Sequence, residues 1–211
     1  MGRILYILFK LILIIVLPFL LLTRGAMYVH VHYNPGAYIS ILFGMIIASI
    51  IIMIYFAVLY GRVSNKVGDM GMLRKKWVVA FLIVLGYSIH GVFFMSPDNF
   101  KNPAIKKEMS KLHPLLRLGV STLVMIDKDM LVTDATRAVE DYDDMGLRRN
   151  ARSLHIPQKD GYAYAVDLRT RGRNEFRNRS TELFFHLLGF KTLRHVGTED
   201  HLHLFLHCHY R

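Results

Sequence analysis

Three apolar blocks occupy most of the first hundred residues, and they constrain this chain more than any other feature. The first covers residues 4–22 and is interrupted by Lys10 and Pro18. The second, residues 37–60, carries no charge, and the third, residues 77–95, holds His90. Each is long enough to cross a hydrocarbon layer of about 30 Å as a helix rising 1.5 Å per residue. Inside lipid a helix pairs its own backbone groups, so three membrane-spanning helices are expected within a membrane region of residues 1–96. A cleaved signal peptide is the alternative for the first block, but Thr23-Arg24-Gly25-Ala26 is a poor cleavage site. Lys10 lies close enough to one end to snorkel toward the headgroups.

Loop charge predicts the orientation. The segment between the second and third blocks carries Arg62, Lys66, Arg74, Lys75 and Lys76 against Asp69, whereas the first short loop carries Arg24. Basic loops stay in the cytoplasm. The expected topology is a multi-pass protein of the cytoplasmic membrane. Its N-terminus is inside, and residues 97–211 are periplasmic or extracellular.

The second block has small residues four apart, at Ser40, Gly44 and Ala48. Such a stripe lets helix backbones approach closely, either within the bundle or in a homo- or hetero-oligomer. The formal net charge of +11 is concentrated in the membrane region. From residue 97 onward there are 19 Lys and Arg against 15 Asp and Glu. That balance points away from nucleic acid and toward a topology signal. The local run Arg169, Arg171, Arg173, Arg177 and Arg179 reads as a solvated face, with contact to anionic headgroups or polymers as the sharper alternative. Cys208 is the single cysteine, so no internal disulfide can form.

The remaining residues suffice for one small α+β domain with an antiparallel sheet flanked by helices. Apolar spacing suggests a helix over 104–118 that Pro114 breaks or restarts, and a second helix over 175–188. In that second helix Phe176, Leu183, Phe184 and Leu187 are expected to form the apolar side, with Gly189 as its stop. Residues 123–126, 130–132, 162–166, 193–196 and 201–208 read as strands.

The chemistry lies in those last strands. As a strand, this last segment directs Leu202, Leu204, Leu206 and Cys208 to one face, and His201, His203, His207 and His209 to the other. Asp167 closes a strand-like run in which Ala163 and Ala165 share its face and leave room beside it. His155 stands before them on a turn with Pro157 and Gly161. Two imidazoles and a carboxylate, His155, Asp167 and His203, are a ligand set that zinc accepts with one position left for water. Asp200 and Glu199 lie three and four residues before His203, where a carboxylate could exchange protons with that water. His201 shares the face of His203 and could stabilise an oxyanion or join the proton transfer. Arg137 follows a strand-like segment and could bind a carboxylate in two-pronged fashion. Taken one at a time, each of these residues also has an ordinary surface or turn reading.

The order Ser153-Leu154-His155, Ala163-Tyr164-Ala165-Val166-Asp167, His201-Leu202-His203 resembles that of the zinc D-alanyl-D-alanine carboxypeptidase and hedgehog-like superfamily of peptidoglycan peptidases, over about residues 112–207. The resemblance implies that His155, Asp167 and His203 bind Zn2+, and that Arg137 and Ser153 belong to the substrate-binding segments. It implies a catalytic acid at Asp200, where many members carry Glu. Eleven residues separate His155 from Asp167, more than the family's usual six, so 156–161 reads as an inserted loop. The implied function is a membrane-anchored peptidase acting on peptidoglycan stem peptides. The alternatives are an inactive wall-peptide-binding module of the same fold, or a membrane scaffold.

Overall fold

The apolar blocks form three helices, α1 (Gly2–Tyr33), α2 (Ala37–Ser64) and α3 (Met70–Phe93). This computed structural model describes residues 2–64, 70–138, 146, 150, 152–197 and 200–207. Among the described residues, Ile14–Tyr33, Ala37–Val58 and Arg74–Phe93 are long and apolar enough to cross a membrane. Pro18 sits inside α1 without ending it. The chain divides into two compact units, Met1–Ile89 and His90–Arg211.

In the first unit α1 and α2 form a hairpin. Its turn uses left-handed backbone at Asn34 (φ 45°) and Gly36 (φ 91°), and Ser40 closes it by donating from N and Oγ to the Gly36 carbonyl at 3.1 and 2.9 Å. The small-residue stripe is spent on this hairpin. Ser40 and Ala48 are fully buried, and a Cβ at Gly44 would overlap the Leu22 carbonyl oxygen and touch Ala26. Small residues here let the two backbones approach as the sequence anticipates.

The second unit is α+β. After a 3-10 turn at Pro97–Asn99 come α4 (Pro103–Glu108), a second 3-10 turn at Met109–Lys111 and α5 (Pro114–Ile126). Pro114 therefore starts a helix. His113 caps it, its Nδ1 accepting the Leu115 N–H at 3.3 Å. Residues 123–126, read as a strand from their apolar run, are the last turn of α5. A short apolar run fits either structure, and the continuing helix decides it. Close approach sets the place of α5. A Cβ at Gly91 would meet Leu118 Cδ1 at 2.7 Å, and one at Gly119 would meet the Phe190 ring at 2.6 Å.

The sheet comprises β1 (Val132–Asp134), β2 (Ala165–Arg169), β3 (Lys191–His195) and β4 (His201–Phe205), in the order β1-β2-β4-β3, antiparallel throughout. The first strand thus begins two residues later than 130–132 implies, and the last ends at Phe205 instead of 208. One face carries Val166, Leu168, Leu202 and Leu204, all fully buried. Each such side chain contributes about 1.5–3 kcal/mol of burial, and this apolar face fixes the register.

Helix α6 (Glu175–Leu188) packs against β3 and α5. Asn174 caps its start by accepting the Arg177 N–H at 2.8 Å, and Gly189 ends it with φ 99°. Its buried side differs from the expected one. Asn178, Thr181, Phe185 and Leu188 face inward, while Phe176, Leu183 and Leu187 are exposed. Polar Asn178 enters the interior because its Nδ2 donates to the Thr170 carbonyl at 3.3 Å. Three arginines of the basic run are tied to carboxylates: Arg173 to Asp127, Arg177 to Asp127 and Asp129, and Arg179 to Glu175 and Glu182.

Candidate metal centre

Asp167 and His203 occupy directly opposed positions on the two central strands. Antiparallel partners share a face, so both side chains project from the side opposite the apolar core. The carboxylate Oδ1 lies 2.8 Å from His203 Nδ1.

His155 arrives from a loop that is pinned on both sides. The Leu154 carbonyl accepts the Tyr164 N–H at 2.7 Å, and the His155 carbonyl accepts the Arg137 N–H at 3.0 Å. Residues 156–161 are knitted into a turn. Gln158 Nε2 donates to the Ile156 carbonyl at 2.6 Å, and Asp160 accepts the Tyr164 hydroxyl at 2.8 Å. Ser153 takes part in the same turn, its Oγ accepting the His155 N–H at 3.3 Å.

The ring of His155 is oriented by the backbone. Its Nδ1 faces the Ala135 carbonyl at 2.9 Å. A carbonyl oxygen can only accept, so Nδ1 carries a hydrogen, and in the neutral ring Nε2 presents its lone pair to the site. Nε2 stands 3.3 Å from His203 Nδ1 and 3.4 Å from Asp167 Oδ1.

These three atoms fit one cation. Donors at about 2.0–2.1 Å from a tetrahedral ion stand about 3.3 Å apart. The circle through the three atoms has a radius of about 1.8 Å, so a point off their plane can lie about 2 Å from all of them. His155 and Asp167 are buried, while His203 is partly exposed and opens the site to solvent. The group could hold a metal ion.

Electrostatics agree with that fit. Burial opposes charge on Asp167, but hydrogen bonds and positive charge from His155 and His203 outweigh it and hold the carboxyl well below its ordinary range. Burial alone would lower the His155 pKa. Asp167 with Asp134 and the Ala135 carbonyl overcome it and raise the group above its ordinary value. The pocket therefore favours positive charge between Asp167 and the two imidazoles.

Arg137 and His201 surround the same carboxylate, with Nη2 and Nε2 at 3.7 and 3.8 Å from Asp167 Oδ2. Arg137 is held by Asp134, which receives its Nε at 2.5 Å. Asp200 is placed differently. Its carboxylate accepts the Gly197 N–H and its carbonyl receives the Thr170 and Arg171 N–H groups, so it is engaged with backbone just before β4. Glu199 lies outside the described residues, as does His209; His207 is exposed beyond the end of β4.

Two participants escape a linear reading. His195 pairs with His201 across β3 and β4, their rings stacked at 4.7 Å. Its pKa is lowered by burial and then by the neighbouring His201 and His203. Asp134 faces Asp167 across β1 and β2. Both depend on register, although the alternation of residues 191–195 already puts His195 on the face of Leu193. No family model, no curated protein and no solved structure matches this chain.

Proposed function

We propose that this protein is a membrane-anchored, zinc-dependent peptidase of peptidoglycan stem peptides, working on the outer side of the cytoplasmic membrane. One observation carries the reading: His155 Nε2, Asp167 Oδ1 and His203 Nδ1 stand at tetrahedral-ligand spacing around a common point. The order of these residues resembles the zinc carboxypeptidase and hedgehog-like superfamily, which supports the substrate class. The charge asymmetry of the loops supports the location.

His155, Asp167 and His203 would hold the ion, which when bound supplies Lewis acidity toward a peptide carbonyl and a water of lowered pKa. The Ala135 carbonyl holds the His155 ring in the binding tautomer. Arg137 is set to receive a substrate carboxylate while Asp134 orients its fork. His201, half-exposed beside Asp167, is placed to hold or pass a proton at its Nε2. Asp200 and Glu199 are the carboxylate candidates for that role.

The engagement of Asp200 with the Gly197 N–H favours one second reading, a module that binds wall peptides without cleaving them. Purified full-length protein in detergent, loaded with zinc and incubated with stem peptides, separates the two by mass spectrometry. Cleavage that disappears with chelator and in His203→Ala supports the peptidase. Zinc-dependent binding with intact peptide supports the module, and neither outcome removes both. For location, Lys159→Cys in a Cys208→Ser background should react with an impermeant maleimide on intact cells; labelling only after lysis would reverse the topology.

A further inference from the structure

We infer that the second unit holds an anionic phospholipid at the end of the third membrane helix, with Arg117 and Lys106 on its phosphate. The starting point is Arg117. This residue sits in α5 with only 8% of its surface exposed. Its Nε has no hydrogen-bond partner, and among the described residues no carboxylate is in ion-pair range of its guanidinium. It faces the ring of Phe93, whose centroid is 5.9 Å from Cζ. Its Nε is enclosed with neither a hydrogen-bond partner nor an anion beside it, which is unfavourable for a cation, so a largely buried arginine in this state points to a missing negative ligand.

Arg117 lines a cavity of about 240 Å³ together with Lys106, Phe93, Phe94 and Met95. Lys106 is exposed, and it also lines an adjoining open cavity of about 690 Å³. Phe93, Phe94 and Met95 are common to both, so the two spaces flank one strip of chain. The larger space adds Val124 and Met125 as apolar wall, and Lys128 lines it as well. Asp98 and His90 are the other titratable groups there, and Asp98 is engaged with the Ser96 hydroxyl at 3.4 Å.

The occupant follows from chemistry and chain position. Two basic groups call for an anion and the aromatic strip calls for hydrocarbon, so the ligand carries both. Phe93 is the last residue of a helix segment long and apolar enough to span a bilayer. The cavities therefore open where a spanning helix leaves the hydrocarbon, at the depth of lipid phosphates. A phospholipid of net negative charge meets each requirement, its phosphate at Arg117 and Lys106 and an acyl chain against Phe94, Val124 and Met125. The role is that of a lipid clamp at the membrane exit, separate from the residues of the metal centre.

The test is native mass spectrometry of the full chain in detergent, with phosphatidylglycerol and phosphatidylcholine supplied in equal amounts, and with melting temperature as a second readout. Wild type should retain phosphatidylglycerol preferentially and melt higher in its presence. Each basic group near an anionic headgroup is worth about a fivefold preference, so Lys106→Gln should lose about fivefold and the Lys106→Gln, Arg117→Met pair about thirtyfold. Val124→Trp, which fills the acyl space, should lose retention of the lipid, whereas nonspecific annular lipid would be unaffected. In lipid-free detergent Arg117→Met should melt no lower than wild type, because it removes a buried charge that lacks a partner. Equal retention of both lipids, or unchanged retention in Lys106→Gln and Val124→Trp, overturns the proposal. So does a melting shift reproduced by inorganic phosphate alone. Lys106 is exposed, so its variant keeps the test decisive even if Arg117→Met fails to fold.

Discussion

Asp167 and His203 face each other across the two central strands, with Oδ1 and Nδ1 2.8 Å apart. The hydrogen-bond register of the sheet therefore places two of the three prospective ligands, and only His155 depends on a loop. His155 is in turn fixed by the Arg137 N–H and the Ala135 carbonyl, and its neighbour Leu154 by the Tyr164 N–H. A site assembled this way needs little rearrangement to accept a cation.

Zinc should bind as a single ion and stabilise the protein. At free zinc about 100-fold above its dissociation constant, the gain is about 2.7 kcal/mol. His155→Ala and His203→Ala should abolish both the bound metal, measured by atomic emission, and the stabilisation, measured by melting. His195→Ala should keep both, because its ring stacks on His201 outside the ligand triangle. Metal retained at wild-type level in His203→Ala would remove the site.

Stability without metal should depend on pH in a definite sense. The His155 pKa is raised above its ordinary 6.5, so its stabilising contribution is complete below 6.5 and lost as pH rises through the raised value. The Asp167 pKa is lowered below its ordinary 3.8, so its contribution is present above 3.8 and lost as pH falls through the lowered value. Chelated protein should accordingly melt highest at weakly acidic pH. Zinc should move the optimum upward, since protons compete with the ion for the imidazoles. A melting temperature of the chelated protein that climbs steadily from pH 6 to 8 would contradict this.

Arg137 separates binding of substrate from binding of metal. Replacing it with Lys loses the two-pronged geometry and should raise KM for a stem peptide about 10- to 100-fold. Metal content should not fall, because Arg137 is not one of the three donors and Lys keeps its charge near Asp167. Loss of metal with unchanged KM would reverse the assignment.

Gly44 should tolerate no side chain. Gly44→Leu forces α1 and α2 apart and should cost about 1–3 kcal/mol, read as a lower melting temperature in detergent. Gly86→Ala is the control, because its Cβ meets nothing within 4 Å and alanine favours helix. Equal effects of the two would mean that the hairpin is not closely packed.

The three long apolar helices were legible because apolar runs of that length have few other uses. Alternation in 201–205 identified the outward histidines correctly, since the leucines between them had to be buried. Residues 123–126 were not legible as helix, because four apolar residues carry no period of their own and the helix begins at Pro114. The inward side of α6 was misread for a related reason: Asn178 and Thr181 enter the interior on hydrogen bonds that no hydropathy pattern records. Asp134 and His195 join the site through strand pairing, which links residues distant in sequence. The placement of Asp200 was not legible because its carboxylate is engaged by the Gly197 N–H, a backbone contact that no sequence pattern records.

The antiparallel pairing of β2 with β4 has an evolutionary consequence. Sliding either strand by one position would turn the leucines outward and the imidazole into oil, so folding and ligation would fail together. Substitutions that keep the greasy interior intact will also keep the donor atoms in step. Selection on simple foldability would thus preserve the spacing of Asp167 and His203, leaving the loop that carries His155 as the part freest to diverge.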